Sequence, residues 1–447
     1  MNYLRRTSSM VFAAFLVVVV AVLVPISSAS AVDEATTTTT LKPVTTTTSK
    51  ATTTSTTVRE ATTTTTIRSE TSTYLDRSTP GIYVNELAAF GESMVQVATG
   101  VPLIVGVGPE VAAAAVNVSS VGEFNEKVPS ASSSLQSAVQ QFFSNGGTTA
   151  FVAGATGTSA ASITTAFASP VPAGVDLLIS ADLGALSSSD WLSVATTMGR
   201  VASKSLAIAL VDPSQQAVLA ATGPAPSIEQ LTTLGTSLRE ATGEDAGSVF
   251  LFASGVTASS GDVLQSSSIF AGIIASTDAQ DGFWNSPVGF WSPIANIRPQ
   301  FAAPLAEASS LVISGLAPVT YYPGRGTVVM SDRLLIGGAN GPITVKRTLD
   351  TIHRTVIAGL TSYVFDANDA VTWQAVVAST SGYLSGLFSN GALVGASAAD
   401  SYTVLCGIGS TMTADDVLNG YMILSLSVAV ENPGRYDIIS ITEQMGN

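Results

Sequence analysis

The clearest pattern of hydrophobic and polar positions lies in the C-terminal part of the chain. Apolar residues recur at three-to-four spacing across residues 349–364 and again across residues 373–388, which predicts two amphipathic helices. Asn368 or Asp369 is expected to cap the second helix, and the Asn-Gly pair at 390–391 is expected to end it. Strand-like runs separated by turn residues follow, and they read SYTVLCG, GYMILSLSVAV and RYDIISITEQ. The pattern predicts a helix-helix-three-strand domain.

A different pattern occupies residues 155–270, where strand-like runs (VDLLISA, SLAIALVD, SVFLFAS) alternate with helix-like runs (SDWLSVATTMGRVAS, SIEQLTTLGTSLREAT). This alternation predicts an α/β domain with a central, mostly parallel sheet. Asp182 and Asp212 end two of the strands, the position at which α/β enzymes hold their chemistry. Aspartates at such positions are more often caps or turn residues, and we favour that interpretation here.

The N-terminal segment has the pattern of an export signal. Arg5 and Arg6 precede an apolar run over residues 10–24, and small residues at 29–31 follow. The run is short for a membrane span, which needs about 20 residues. We therefore favour a signal peptide cleaved after Ala31, with an uncleaved anchor as the alternative. Thr then fills 19 of the 31 positions from 36 to 66, so a flexible or O-glycosylated linker is expected.

Composition adds two constraints. Charged residues make up only 11% of the 447 residues, against about 25% in typical soluble proteins. Such a surface suits burial between subunits, but an exported protein with a neutral Thr/Ser/Ala-rich surface would also show it. The formal net charge is −14, which argues against nucleic acid as a partner.

Residues with catalytic chemistry are scarce. The single histidine, His353, lies in a predicted helix, and the single cysteine, Cys406, lies in a predicted strand as a small buried hydrophobe. The sequence contains no phosphate-binding loop, no Cys/His cluster and no Gly-x-Ser-x-Gly elbow. We predict a protein that is not an enzyme and that uses neither a cofactor nor a metal.

Several long blocks closely resemble contractile tail sheath proteins, the subunits of the outer cylinder of contractile phage tails and injection machines. The blocks are TPGIYVNEL, FFSNGGTTAFVAG, IFAGIIASTDAQDGFWNSPVG, KRTLDTIHRTVIAGLTSYVFDAND, LSGLFSNGALVGASAADSYTVLCG and TMTADDVLNGYMILSLSVAVENPGRYDIISI. The resemblance extends from about residue 79 to residue 441. It departs from the family at Gly154, where an Arg is usual, and at residues 330–332, where Trp-Gly-Ala is usual.

The resemblance implies a fold of mixed α/β and α+β class. We expect a signal peptide or anchor at 1–31, a Thr-rich linker at 32–75, and an N-terminal arm with the first core strand at 76–120. An inserted α/β domain at 121–270 and a C-terminal sheath core domain at 271–447 would complete the subunit.

The resemblance also implies how subunits join. Terminal strands of sheath subunits are exchanged with neighbouring subunits, and here the candidates are Gly81, Ile82, Tyr83, Val84, Asn85, Glu86 and Leu87 in the arm, and Tyr436, Asp437, Ile438, Ile439, Ser440 and Ile441 in the last strand. By position in the family, candidate contacts with the inner tube protein are Lys346, Arg347, Arg354, Asp415 and Asp416. The implied partners are further copies of the chain, an inner tube protein, and baseplate and tail terminator proteins.

Two functions follow from these observations. The first is a structural subunit of a contractile sheath in a virion tail or injection apparatus. The second is an exported protein that keeps the sheath fold and displays it on the Thr-rich stalk, as a binding module or filament. Residues 1–75 separate the two, because an export signal or membrane association is foreign to ordinary sheath proteins.

Overall fold

The structure is a computed structural model that describes residues 94–111, 114–215, 227–290, 292–294, 296–301, 305–337 and 341–446. Contacts divide the chain into Met1–Thr73 and Tyr74–Asn447, and all of the described residues belong to the second unit. The predicted signal segment, the Thr-rich linker and the predicted arm strand at 81–87 lie outside the described residues.

The strands of the described part are β1 (Pro102–Val107), β2 (Val116–Val118), β3 (Ala150–Ala155), β4 (Leu177–Ser180), β5 (Ile208–Val211), β6 (Val249–Phe252), β7 (Val256–Ala258), β8 (Val263–Leu264), β9 (Ile297–Pro299), β10 (Leu316–Ala317), β11 (Val319–Tyr322), β12 (Gly326–Val329), β13 (Tyr402–Cys406), β14 (Tyr421–Val428) and β15 (Asp437–Gln444). The α-helices are α1 (Val121–Lys127), α2 (Ser133–Ser144), α3 (Ala160–Ala168), α4 (Ser188–Lys204), α5 (Ile228–Thr242), α6 (Ser266–Gln280), α7 (Leu305–Ile313), α8 (Ile343–Leu360), α9 (Ala370–Ser389) and α10 (Ala414–Leu418).

A seven-stranded sheet in the order β10-β6-β5-β4-β1-β3-β2 forms the centre of the α/β part. Its pairs are parallel except for β2, which runs antiparallel to β3. The prediction of a mostly parallel sheet is therefore confirmed. Strands from both sides of the predicted boundary at 120/121 belong to this sheet, so that boundary passes through one continuous layer.

Helices cover both faces of the sheet. Because successive strand residues point to opposite faces, Ile104 packs with α1, α2 and α6, whereas Leu103 packs with α3, α4 and α5. Gly272 brings α6 close to the end of α2, since a Cβ at this position would lie 2.5 Å from the backbone oxygen of Phe142. The result is a three-layer core.

Serine starts many of these helices. Each helix from α1 to α5 begins after a serine whose hydroxyl accepts a hydrogen bond from a backbone N–H of the first turn, and these caps are Ser120, Ser132, Ser159, Ser187 and Ser227. These five serines thus have a local structural role.

The C-terminal part has the predicted helix-helix-three-strand form. Asp369 caps α9 by accepting hydrogen bonds from Val371 and Thr372, and Asn390 ends the helix. The strands pair antiparallel in the order β13-β14-β15. A separate core joins α8 and α9 to the inner face of this sheet.

Two smaller sheets are formed by strands from the segment 256–329. The hairpin β11–β12 forms one, and the other has the order β8-β7-β9. Ile294 bridges to Thr327 of β12. The segment that contains β12 resembles a strand of the sheath family, whereas the other short strands were not predicted.

Candidate subunit interface

The last strand, β15, lies at an edge of the C-terminal sheet. It pairs along its whole length with β14, from Val428 opposite Asp437 to Tyr421 opposite Gln444. Among the described residues no strand pairs with its other edge. A strand edge of this kind leaves backbone N–H and C=O groups available to another chain.

Side chains of β15 alternate between the core and the surface. Ile439 and Ile441 are 8% and 5% exposed and pack in the C-terminal core, whereas Ile438 is 72% exposed. Met445 is buried just after the strand, and Gly446 donates a backbone hydrogen bond to Val364. The strand that the sequence indicated as exchanged is therefore seated in its own chain, by apolar burial as well as by hydrogen bonds.

The turn before β15 contains Pro433 and Gly434. Gly434 has a φ of +78°, a conformation that glycine adopts without strain. Tyr436 follows, with an exposed ring and a hydroxyl that donates to the backbone oxygen of Asp400 at 3.0 Å.

The residues that follow the predicted N-terminal arm are fixed on the helix pair α8 and α9. Met94 is buried between α8 and α9, where its sulfur accepts a hydrogen bond from Thr380 and its side chain fills the space beside Gly359. The backbone N–H of Val97 donates to Thr355 on α8 at 3.3 Å. The chain therefore leaves the described region from the surface of the helices that carry the C-terminal sheet.

A buried ion-pair cluster joins α8 to the α/β part. The guanidinium of Arg347 is 2% exposed, and it donates to both carboxylate oxygens of Asp278 on α6, at 2.9 and 2.5 Å. It also donates to Asp176 at 3.2 Å. Asp176 in turn accepts hydrogen bonds from the backbone N–H groups of Gly100 and Val101, at 2.9 and 2.7 Å. One cluster thus connects α8, α6, the start of β4 and the segment that leads into β1.

The electrostatics of the cluster favour the charged form of Arg347. Burial alone would lower the pKa of Arg347, but the carboxylates of Asp278 and Asp176 raise that pKa above its ordinary value. Arg354 lies at the margin of the cluster and donates to the backbone oxygen of Val175 at 3.2 Å. Burial raises the pKa of Asp350, against the attraction of Lys346, whose ammonium group lies 2.6 Å away.

These placements bear on the predicted tube contacts. The guanidinium of Arg347 is engaged inside the chain, and Lys346 and Arg354 are partly buried around it. Asp415 and Asp416 lie at the surface on α10, where Thr413 is the N-cap and the carboxylate of Asp416 accepts a hydrogen bond from the backbone N–H of Thr413. Contact of these residues with a tube protein remains a prediction. Sequence reasoning missed Asp176, since a lone acid before a buried strand carries no periodic signal.

Both strand-end aspartates accept hydrogen bonds inside the fold, and Asp212 does so at the start of a helix. Asp182 accepts hydrogen bonds from the backbone of Val107 and from the hydroxyl of Ser134. Asp212 accepts hydrogen bonds from the N–H of Ser267 at 3.1 Å and from its hydroxyl at 2.5 Å, at the start of α6. Burial raises the pKa of Asp212 to about 6, although the hydrogen bonds from Ser267 oppose that rise. A cavity of about 210 Å³ is lined by the two aspartates together with Gln265 and Gln300.

The single histidine and the single cysteine are both half-buried. His353 is half-buried on α8, and burial lowers its pKa. Cys406 is half-buried rather than fully buried, and burial raises the pKa of its thiol to about 11, which disfavours the reactive thiolate. The described residues contain no group of three or more His, Cys, Asp or Glu that could hold a metal ion. Within the same residues, no helix has both the length and the apolar character for crossing a membrane.

Solved structures of contractile sheaths share this fold. The sheath complex of the extracellular contractile injection system PVC, in its contracted state, matches with a TM-score of 0.63 and 20% identity, covering 81% of this chain and 97% of that chain. The helical sheath of the anti-feeding prophage in its contracted state matches with a TM-score of 0.61 and 23% identity, over 81% and 99% of the two chains. A sheath tail protein of Desulfitobacterium hafniense matches with a TM-score of 0.55 and 9% identity, over 82% and 100%.

At these identities the likeness establishes the fold, and it confirms the fold class expected from the sequence. No protein-family model and no curated protein matches the sequence.

Proposed function

We propose that this chain, which has the fold of contractile sheath subunits, is itself a structural subunit of a contractile sheath. It would polymerise around an inner tube and contract to drive that tube through a target envelope. The observation that carries the proposal is the extent of the structural match, since the shared fold spans 97% of the PVC sheath chain and 99% of the anti-feeding prophage sheath chain. The protein is then a structural component rather than an enzyme.

We further propose that subunits join by exchange of terminal strands. A strand from a neighbouring copy can occupy the place of β15 with the same apolar contacts, because Ile439, Ile441 and Met445 would enter an identical core. The arm at 81–87 would add to a free sheet edge through backbone hydrogen bonds. Met94 fixes the residues that follow that arm on α8 and α9, which pack on the C-terminal sheet of β13, β14 and β15.

The partners of such a sheath would be further copies of the chain, an inner tube protein, and baseplate and terminator proteins. Asp415 remains the most accessible of the candidate tube contacts, whereas Arg347 is buried. Each exposed ion pair at such a surface would contribute about 0–1 kcal/mol, so a tube contact would depend on repetition around each ring.

Electron microscopy of the unit from residue 74 onward, alone and with a tube protein encoded nearby, tests the assembly. We expect cylinders of constant width. In the full chain, deletion of residues 79–87 should abolish cylinders while far-ultraviolet circular dichroism shows a folded monomer. Deletion of residues 45–53 from the full chain removes an equal length of the Thr-rich tract and is the matched control, which should leave assembly unchanged. Cylinders formed without residues 79–87 would refute a role for the arm.

A second function is favoured by the N-terminal sequence. The apolar run at 10–24 and the Thr-rich tract that follows fit an exported or membrane-anchored protein that displays the sheath fold as a binding module or filament. Mass determination of the mature protein and fractionation of cells locate it. An intact N-terminus in the cytoplasm would remove this alternative, whereas cleavage after Ala31 with only monomers in solution would favour it.

A further inference from the structure

The cavity beside the strand-end aspartates lies at the carboxyl edge of the seven-stranded sheet. Asp182 follows β4, Asp212 follows β5 and Gly255 follows β6, and all three line the cavity. Ser134 reaches it from the start of α2. Val263 also lines it and is 48% exposed, so the cavity is open to solvent.

The connections between strands change direction at this edge of the sheet. From β1 the chain crosses to β3 by way of α2 on one face, whereas from β4 it crosses to β5 by way of α4 on the other face. The loops that leave β1 and β4 therefore diverge, and a crevice remains outside the carboxyl ends of the strands. Open α/β sheets bind their ligands in this crevice.

The two aspartates of the cavity are the buried carboxylates that lack a cation. Four aspartates are buried among the described residues, and they are Asp176, Asp182, Asp212 and Asp350. The first pairs with Arg347 and the last with Lys346. Among the described residues, no cationic side chain lies within ion-pair distance of Asp182 or Asp212. Buried carboxylates are otherwise found with a paired cation or a metal ion, so a cation is the expected ligand here.

Uncharged oxygens complete the lining. The side-chain nitrogen of Gln265 donates to the backbone oxygen of Ala181 at 2.6 Å, and the side-chain oxygen of Gln265 is buried without a hydrogen-bond partner. The side-chain oxygen of Gln300 lies against Gly255, where a Cβ would be only 2.3 Å from it. No lysine, arginine or histidine is among the described residues that line the cavity. The wall therefore offers acceptors to a cation and no positive side chain to an anion.

We propose that the cavity binds a divalent cation of the oxygen-seeking kind, Ca²⁺ or Mg²⁺, between the carboxylates of Asp182 and Asp212. The free side-chain oxygen of Gln265 would be a further ligand. The cavity of about 210 Å³ also has room for several water molecules, which both cations commonly keep as ligands. Such a site needs only two carboxylates, so it differs from a cluster of three or more acidic residues, His or Cys. The inference does not depend on the sheath role.

A cation at this position would join parts of the chain that are distant in sequence. Asp182 already accepts hydrogen bonds from the backbone N–H of Val107 at the end of β1 and from the hydroxyl of Ser134 on α2. Asp212 accepts hydrogen bonds from Ser267 at the start of α6. One ion between the two carboxylates would therefore hold the loops after β4 and β5 against the first turns of α2 and α6. Because the ligands come from separate loops, no local sequence motif indicates the site.

Terbium luminescence of the full-length protein tests the site. Tb³⁺ binds to the oxygen ligands that Ca²⁺ uses, and it emits light when a nearby tryptophan is excited. Trp191 lies beside the proposed site, since its indole N–H donates to the backbone oxygen of Asp212 at 2.8 Å. The protein is first freed of metal with a chelator and kept at a pH well above 6, where Asp212 is ionised. We expect emission that saturates at one ion per chain and that Ca²⁺ or Mg²⁺ reduces by displacement.

Conservative substitutions assign the binding to the two carboxylates. Asp182→Asn and Asp212→Asn remove the charge and keep the size of the side chain, and each should weaken Tb³⁺ binding by about tenfold or more, because ligand charge sets the affinity of such sites. The matched control is Asp281→Asn, an exposed position at the opposite end of α6, which should bind as the parent does. Circular dichroism verifies the fold of each variant. If Asp182→Asn does not fold, the comparison of Asp212→Asn with Asp281→Asn decides.

Thermal unfolding gives a second measurement. Ca²⁺ or Mg²⁺ should raise the unfolding midpoint of the parent and of Asp281→Asn, and should leave that of Asp212→Asn unchanged at matched ionic strength, since a ligand stabilises only a fold that binds it. Emission that does not saturate, or that is as strong in both cavity variants as in the parent, would show binding only at surface carboxylates and would overturn the site. Absence of any response to Tb³⁺, Ca²⁺ and Mg²⁺ would overturn it as well.

Discussion

The guanidinium of Arg347 is surrounded by partners from distant parts of the sequence. It meets Asp278 and Asp176, which are separated from it by 69 and 171 residues. Burying three charges is expensive, and the cost is offset only while every partner is present. This residue therefore contributes to the alignment of α8 with the α/β sheet as well as to stability.

Replacement of Arg347 by Ala should lower the free energy of unfolding by about 3–5 kcal/mol, because two carboxylates would remain buried without their cation. Urea denaturation followed by tryptophan fluorescence measures the change. Arg347→Lys should recover only part of the loss, since an ammonium group cannot donate to Asp278 in the bidentate manner. Arg200→Ala, at an exposed position on α4, is the control and should change stability by about 0.5 kcal/mol or less. If Arg347→Ala also changed stability by only about 0.5 kcal/mol or less, the ion pairs of Arg347 would not stabilise the fold as expected.

The raised pKa of Asp212 predicts that the stability of the fold falls as the pH rises, whereas a paired surface carboxylate makes stability rise with pH. Burial raises its pKa from 3.8 to about 6, so between these values the folded chain holds the proton that the unfolded chain releases. The stability contributed by the neutral carboxyl is therefore complete below about pH 4 and is lost as the pH rises to about 6, up to about 3 kcal/mol in all.

Asp212→Asn should remove this loss, because the amide keeps an acceptor for the N–H of Ser267 without a charge to bury. The difference in unfolding free energy between the two proteins, measured at intervals from pH 4 to pH 7, should grow with pH in favour of the variant. A difference that stays constant with pH would refute the assignment to Asp212.

Residue-scale roles were the least predictable from sequence. The family resemblance named Arg347 as a candidate tube contact and included Asp278 only within a matching block, and it did not indicate their ion pair, since a sequence does not show which charges are buried together. The interpretation of strand-end aspartates as cap or turn residues agrees with Asp212, which accepts hydrogen bonds at the start of α6, whereas Asp182 makes no helix-capping hydrogen bond.

The strand β15 is held in place because its side chains alternate between the core and the surface. Ile439 and Ile441 face the core while Ile438 faces outward, and the same period of two could be read from RYDIISITEQ before the structure was known. Ile441→Ala should destabilise the C-terminal core by about 2–5 kcal/mol, whereas Ile438→Ala should change stability by about 0.5 kcal/mol or less. Hydrogen exchange of the β14 amides reports the difference. Equal protection in both variants would show that β15 is not held by its inner face.

Elements with a long, strong period were predicted well, and short or weakly patterned ones were not. The helices α8 and α9 and the strands β4, β5 and β6 each present a clear stripe or a continuous apolar run. The strands β7 to β10 have only two or three residues each, too few to show a period. The helix α3 was missed because its Ala, Ser and Thr residues give little contrast between its faces.

At the scale of the whole molecule, the proposed exchange of β15 would change which chain supplies the strand beside β14. Ser425 and Ser440 lie opposite each other in the β14–β15 register, and both are accessible. In a protein with Cys406→Ser, cysteines introduced at both positions can be joined by a short bismaleimide. We expect crosslinks within one chain in monomers and ladders of linked chains in assembled cylinders, as resolved on denaturing gels.

Crosslinks confined to single chains in cylinders would show that β15 stays in its own subunit, and the arm would then be the exchanged strand. The protein with Cys406→Ser alone should give no crosslinks and is the control.

The position of β1 has a mechanical consequence. This strand is the first element after the arm, and it is clamped on both sides, by β3 and by β4, in parallel pairing. A pull from the N-terminal side would first load the contacts of Met94 and Val97 with α8 and α9, and beyond them the two hydrogen-bond ladders of β1, which resist together when the strand is loaded along its axis. If subunits exchange the arm as proposed, a chain rooted in this way could carry tension between them without unravelling the domain from which it emerges.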